Sequence, residues 1–241
     1  MARIPEYIIE READELRFKF SIDVQSPVDV EALLQKKGIL SVFTSMSENF
    51  SGMCLKSMDG ENSFILINSN QPLGRQYFTI AHELYHIYCQ KPQEFKVHSC
   101  QILKSDSPVE NHANVFASYF LMPTMGVADM LSKMKCNKHN ITAAHIISLC
   151  NYFRVSYKAM LVRVNKLLNI DKKLYNSLLL VQPTAAAKEY SLNYEIFEKP
   201  KVKDMVIGDY YSKAQSLYNA NKISNGHLIE LLEAIKISDG K

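Results

Sequence analysis

With 241 residues, 47% of them apolar and 22% charged, the chain has the make-up of a globular protein of one or two domains and is excluded from the low-complexity and disordered classes. Its formal charge of +3 is small and its Lys and Arg residues are dispersed, so composition gives no support to direct nucleic-acid binding. Acidic and basic residues interrupt Met1 to Phe20, and no later run approaches the roughly 18 apolar residues of a bilayer span, so neither a signal peptide nor a membrane anchor is expected.

In chain order, Pro5 to Phe20 carries apolar residues at helical spacing and predicts an amphipathic helix. A second helix is predicted over Val28 to Lys37, with Ser26-Pro27 at its start and Gly38 beyond its end. Ile39 to Asn68 alternates short β-rich runs with the turn pair Asp59-Gly60 and predicts a small antiparallel sheet with a hairpin. A loop to Gly74 leads into a helix over Arg75 to Tyr88, and Lys91 to Pro108 reads as an irregular connection. Further helices are predicted over Val109 to Leu121, stopped by Met122-Pro123, over Met125 to Lys135, and over Thr142 to Leu168 with a break at Arg154-Val155-Ser156. Leu178 to Val181 reads as a strand, and Asp209 to Asn221 and Gly226 to Ile237 as helices. The five cysteines are scattered and form no C-x-x-C pair, which suits free thiols in a reducing cytoplasm.

Residues 82 to 86, His82-Glu83-Leu84-Tyr85-His86, match H-E-x-x-H within a predicted helix. At 100° per residue Ile80, Leu84, Ile87 and Tyr88 fall on one side, and His82 and His86 lie together roughly opposite. Two imidazoles one turn apart can share one zinc ion, whose catalytic sites take three protein ligands and keep a position for water. Glu83 is placed to take a proton from that water. For the third ligand the wheel of the later helix favours Glu110, which shares a face with Ala113, Asn114 and Ala117, over His112, which points nearly the opposite way. The small Ala113 and Ala117 let the two helices approach, and Asn114 can accept from the free N–H of a ligating histidine. A donor to the developing oxyanion is also needed. His98, Tyr119 and Tyr85 are the candidates. The metal is zinc by default, with manganese as the alternative.

These residues belong to a set of words that resembles the ImmA/IrrE metallopeptidases. Arg75 to His86 is similar to that family's R-x-R-F-T-x-A-H-E-L-G-H, and Glu110 to Ala117 followed by Leu121-Met122-Pro123 to its E-x-x-A-N-x-F-A…L-M-P. Phe153 to Met160 with Arg163 and Leu167 resembles its F-x-V-S-x-x-A-M…R-L. Tyr85 replaces a usual Gly, Tyr77 an Arg, and His112 stands where an acidic residue is common, so the departures bear on the cleft and spare every proposed ligand. The resemblance implies an α+β fold, a zincin-like core with a small antiparallel sheet and the H-E-x-x-H helix, then a mainly helical C-terminal region. The resemblance extends from about Ser26 to Leu168, and with a boundary read near Asn169 to Lys173 the chain divides into a zincin-like peptidase domain at 1–135, a helix-turn-helix-like segment at 136–169 and a mainly helical C-terminal region at 170–241. It also implies a cytoplasmic endopeptidase that cuts a helix-turn-helix transcriptional repressor and relieves repression under stress.

Two rival functions remain open at this level. Thr142 to Leu168, with Lys158, Arg163 and Lys166, could belong to a DNA-binding regulator, although the modest charge argues for a helical pair packed on the core. A peptidase-like protein could instead hold its partner at a non-hydrolytic metal site, a reading that retention of Glu83 opposes. The tyrosines of the C-terminal region, such as Tyr190, Tyr194, Tyr210, Tyr211 and Tyr218, suit either substrate recognition or packing.

Overall fold

In the computed structural model, which describes residues 4–57, 62–90, 98–101, 107–201 and 204–234, the opening amphipathic segment is helix α1 (Glu6–Lys19). It buries Ile9, Ala13 and Leu16 together with Arg17. Arg17 tolerates burial because backbone carbonyls receive its guanidinium: Nη1 donates to Phe120 O at 2.5 Å, and Nη2 to Ser26 O at 2.6 Å and to Asp23 O. Helix α2 (Val30–Lys37) is capped by Asp29, whose Oδ1 accepts from Ala32 N at 3.1 Å, and not by Ser26.

Strands β1 (Leu40–Thr44), β2 (Phe50–Lys56), β3 (Ser63–Asn68), β4 (His98–Gln101) and β5 (Met205–Ile207) form one sheet in the order β4-β2-β3-β1-β5. The α+β class holds, with one detail corrected, since the sheet is mixed and not antiparallel. β2 pairs antiparallel with β3 and β4, whereas β1 runs parallel to β3, Leu40 opposite Phe64 through Thr44 opposite Asn68. The link between β1 and β2 steps over one strand position, β3 returns into the gap, and the two strands flanking β2 in sequence are therefore forced to run the same way. The turn expected at Asp59-Gly60 lies outside the described residues.

Helix α3 (Leu73–Tyr88) lies across β2 and β3, against Cys54, Ile65 and Ile67, all fully buried. The approach is close at Gly52, where a Cβ would stand 2.7 Å from Thr79 Cγ2 and 2.8 Å from Leu66 O. Helix α4 (Pro108–Leu121) covers the other side of α3 and also packs on α1. Part of the expected irregular connection before it is strand β4, and the remainder of 91–106 lies outside the described residues.

Helices α5 (Thr124–Lys133), α6 (Ala143–Phe153) and α7 (Tyr157–Leu168) follow. Arg154, left-handed at φ 55°, ends α6, and Ser156 caps α7 through Ala159 N, which is the break read from the sequence. Arg163 ties α7 to the α4–α5 turn by donating to Met122 O at 2.9 Å and Thr124 Oγ1 at 2.6 Å. Arg154 donates to the Tyr77 hydroxyl at 2.6 Å, and that hydroxyl donates to Glu31 Oε1 at 2.7 Å, linking the same turn to α3 and α2.

The strand expected at Leu178 to Val181 is instead the end of helix α8 (Lys172–Leu179), which Asp171 starts by accepting from Lys173 N and Leu174 N. Leu178 is buried while Leu180 is 82% exposed, so the run has no common buried face. Helix α9 (Pro183–Glu189) packs on α6, a 3-10 turn (Glu195–Phe197) lies beside α3, and β5 forms the sheet edge next to β1. Helices α10 (Tyr210–Asn219) and α11 (Asn225–Ala234) complete the described chain, and the expected end at Ile237 lies outside it. Among the described residues, no single helix is long and apolar enough to cross a membrane.

Candidate metal centre

The imidazole face of α3 does not look out at solvent. His82 is 2% exposed, His86 1% and Glu83 0%, because α4 lies over them with Ala113 and Ala117 fully buried at the contact. Small side chains there let the helix axes close up, and the first turn of α4 delivers Glu110 to the imidazoles.

His82 Nε2 stands 3.1 Å from Glu110 Oε2 and 3.1 Å from His86 Nε2, and His86 Nε2 stands 3.5 Å from Glu110 Oε1. Among the described residues, these three form the group whose donor atoms all lie within 4.8 Å of one another. The outer ring nitrogens are also engaged: Asn114 Oδ1 is 3.1 Å from His82 Nδ1, and Gln90 Oε1 is 2.7 Å from His86 Nδ1. Both amide oxygens accept, which places a proton on each Nδ1 and makes Nε2 the ring atom able to offer a lone pair inward.

That donor set fits a divalent cation. Two imidazoles, each able to present an Nε2 lone pair, converge with a carboxylate in a buried site, an arrangement that a positive charge among them stabilises. Their separations bracket the about 3.3–3.4 Å edge of a tetrahedron built on zinc–nitrogen bonds of about 2.0–2.1 Å. Glu110, with 13% of its side chain exposed, is the most solvent-exposed of the three.

Glu83 occupies the same helix between the two histidines. Burial pushes its carboxyl up to about 7, and Glu110 adds to the rise, while His82 and the Cys54 thiol of β2 oppose it. Neither carboxylate oxygen has a hydrogen-bond partner of ordinary geometry among the described residues, so the Cys54 thiol bears on it only as a weak donor.

The other sequence candidates are placed as follows. Tyr119 lies two and a half turns along α4 from Glu110, donates to Glu6 Oε1 at 3.1 Å and stacks beneath Arg163 at 4.1 Å. Tyr85 is 7% exposed, and its ring packs between His86 and Phe116 at 5.6 and 5.5 Å. His98 is in β4, and its side chain lies outside the described residues. His112 lines a cavity with Pro108, Asn111 and Asn114 and is not one of the three converging donors. Gln90 and Cys54 went unread in the sequence. The spacing of Gln90, four residues past His86, was a usable signal, whereas Cys54 reaches Glu83 only through the packing of β2 on α3.

Against known proteins, the family model Peptidase M78, IrrE N-terminal-like domain, matches residues 35–165. That span is more than half of the chain, runs from the end of α2 into α7, and contains every residue of the cluster. No curated protein matches the chain.

Proposed function

The chain belongs to the M78 peptidase family, and on that premise we propose that it is a zinc-dependent endopeptidase acting on a helix-turn-helix transcriptional repressor in the cytoplasm. The observation that carries the proposal is the buried convergence of His82, His86 and Glu110 beside Glu83. His82 Nε2, His86 Nε2 and a Glu110 oxygen would hold the ion, with manganese as the alternative. Bound there, zinc supplies Lewis acidity and makes water acidic near neutral pH.

The rest of the chemistry belongs to the chain. Asn114 and Gln90 hold the two rings in the Nδ1–H form and fix their orientation. Glu83 holds, on a carboxylate oxygen, the proton taken from the attacking water and delivers it to the leaving amine. A group that titrates near neutrality suits both directions of that transfer. The α3–α4 contact keeps bulk water from the protons being moved. The repressor substrate and the relief of repression rest on the family resemblance of the sequence words at residues 75–86, 110–123 and 153–167.

Expression of the wild-type chain and of Glu83→Gln in cells, followed by profiling of protein N-termini, tests the proposal. The expected result is a new N-terminus inside a helix-turn-helix repressor in wild-type cells alone. Identical profiles would contradict it.

A further inference from the structure

We infer that Cys54 is the positioning residue of the base: its thiol, presented by β2, donates to the Glu83 carboxylate and holds it in one rotamer. The inference rests on the peptidase reading of the centre and deepens it by a residue of the sheet.

The contact follows from how β2 lies along α3. Toward one end of the strand a Cβ on Gly52 would stand 2.7 Å from Thr79 Cγ2, and at the other the Lys56 ammonium donates to Ile87 O at 2.9 Å. Side chains on one face of a strand recur every two residues, about 6.6–6.8 Å apart, and those on one face of a helix every four, about 6.0 Å apart. Strand and helix therefore advance together, with Gly52 on Thr79 and Lys56 level with Ile87, and the pair midway between them is Cys54 and Glu83. Both are fully buried. The thiol acts on the carboxylate as a hydrogen-bond donor.

The surroundings give that contact its weight. Neither Glu83 oxygen has a partner of ordinary geometry among the described residues, and the strand residue opposite Cys54 is the apolar, fully buried Ile65. A base must keep its oxygen within about 2.6–3.2 Å of the proton it takes, and a misplacement of about 1 Å costs about 100-fold in rate. A thiol offers one weak S–H donor, enough to hold one carboxylate oxygen while the other stays open to a proton. A guanidinium or ammonium in its place would clamp the carboxylate by a charge-assisted bond. Cys54 is not among the converging donors His82, His86 and Glu110, which separates this role from ligation of an ion.

Infrared absorption of the full chain reads the contact directly. The S–H stretch falls where other protein groups do not absorb, and it moves to lower frequency and gains intensity when the thiol donates. Subtracting the Cys54→Ala spectrum from that of wild type isolates the Cys54 band. The same subtraction in a Glu83→Leu background is expected to return the band at higher frequency and lower intensity, and Glu83→Met, a second apolar replacement of similar length, should do the same. A band that neither replacement moves would overturn the inference.

A second readout is cleavage in cells, scored as new protein N-termini, with zinc content checked in every variant. Cys54→Ala is expected to lower their yield about tenfold, and Cys54→Ser, which restores a donor, to bring it back within about threefold of wild type. If the position served only as a small apolar side chain, serine would bury a hydroxyl among apolar neighbours and be at least as damaging as alanine. That order of the two variants would sink the positioning role. Absence of any new N-terminus from wild-type cells would instead remove the peptidase reading, and the catalytic use of the contact with it, even where the band shifts as expected.

Discussion

Glu83→Gln should stabilise the metal-free protein above neutral pH while abolishing catalysis. Its carboxyl is raised from the ordinary 4.5 to about 7, chiefly by burial. The folded state therefore holds a proton that the unfolded state has released between those values. Stability is full below the unfolded value, falls as pH rises through this window, and is flat above it. At 1.36 kcal/mol per pH unit, the penalty reaches about 3 kcal/mol at pH 8, and about 1 kcal/mol is already present at pH 5. Glutamine has nearly the same shape, does not titrate, and escapes the loss. Urea unfolding of both metal-free proteins from pH 5 to pH 8 should show the variant gaining about 2–3 kcal/mol on wild type across that interval, with equal slopes in denaturant. Parallel stability curves would refute the reasoning, because they would mean that Glu83 ionises in the fold as readily as in the unfolded chain.

Gln90→Leu removes the amide oxygen that accepts from His86 Nδ1 and should lower zinc affinity about 10- to 100-fold by competitive chelator titration, while costing the metal-free protein about 1–3 kcal/mol in chemical denaturation. Retained affinity would show that Gln90 does not orient the ring. Gly74→Ala places a Cβ 2.7 Å from the backbone of Val155 and Ser156, so α3 and the α6–α7 turn must separate. A loss of roughly 1–3 kcal/mol is expected in chemical denaturation, and a neutral result would mean that this contact yields freely.

The parts of the fold written locally in the chain were legible. The α3 helix, the proline stop after Leu121 and the break at Arg154 follow from period, proline chemistry and capping within a few residues. The convergence of His82, His86 and Glu110 could be read because two helices with fixed periodicity, one lined by Ala113 and Ala117, have few ways to meet. What failed depended on distant partners. The parallel pairing of β1 with β3 depends on β2 crossing to the far side of β3, and the placing of β5 beside β1 on a partner more than a hundred residues away. The apolar run at Leu178 is too short for its period to separate strand from helix, and the cap at Asp171 decided it. Burial of the imidazole face was equally unreadable, since hydrophobic patterning marks polar positions as exposed, and it is α4 that covers them.

The most direct measurement is native mass spectrometry of the purified chain after zinc addition and desalting, comparing wild type with His82→Ala and Glu110→Ala. One zinc retained per wild-type chain, with retention weakened in both variants, is the result that a shared His82, His86 and Glu110 site requires. No zinc on wild type, or retention indifferent to both substitutions, would contradict a metal-dependent peptidase built on these residues.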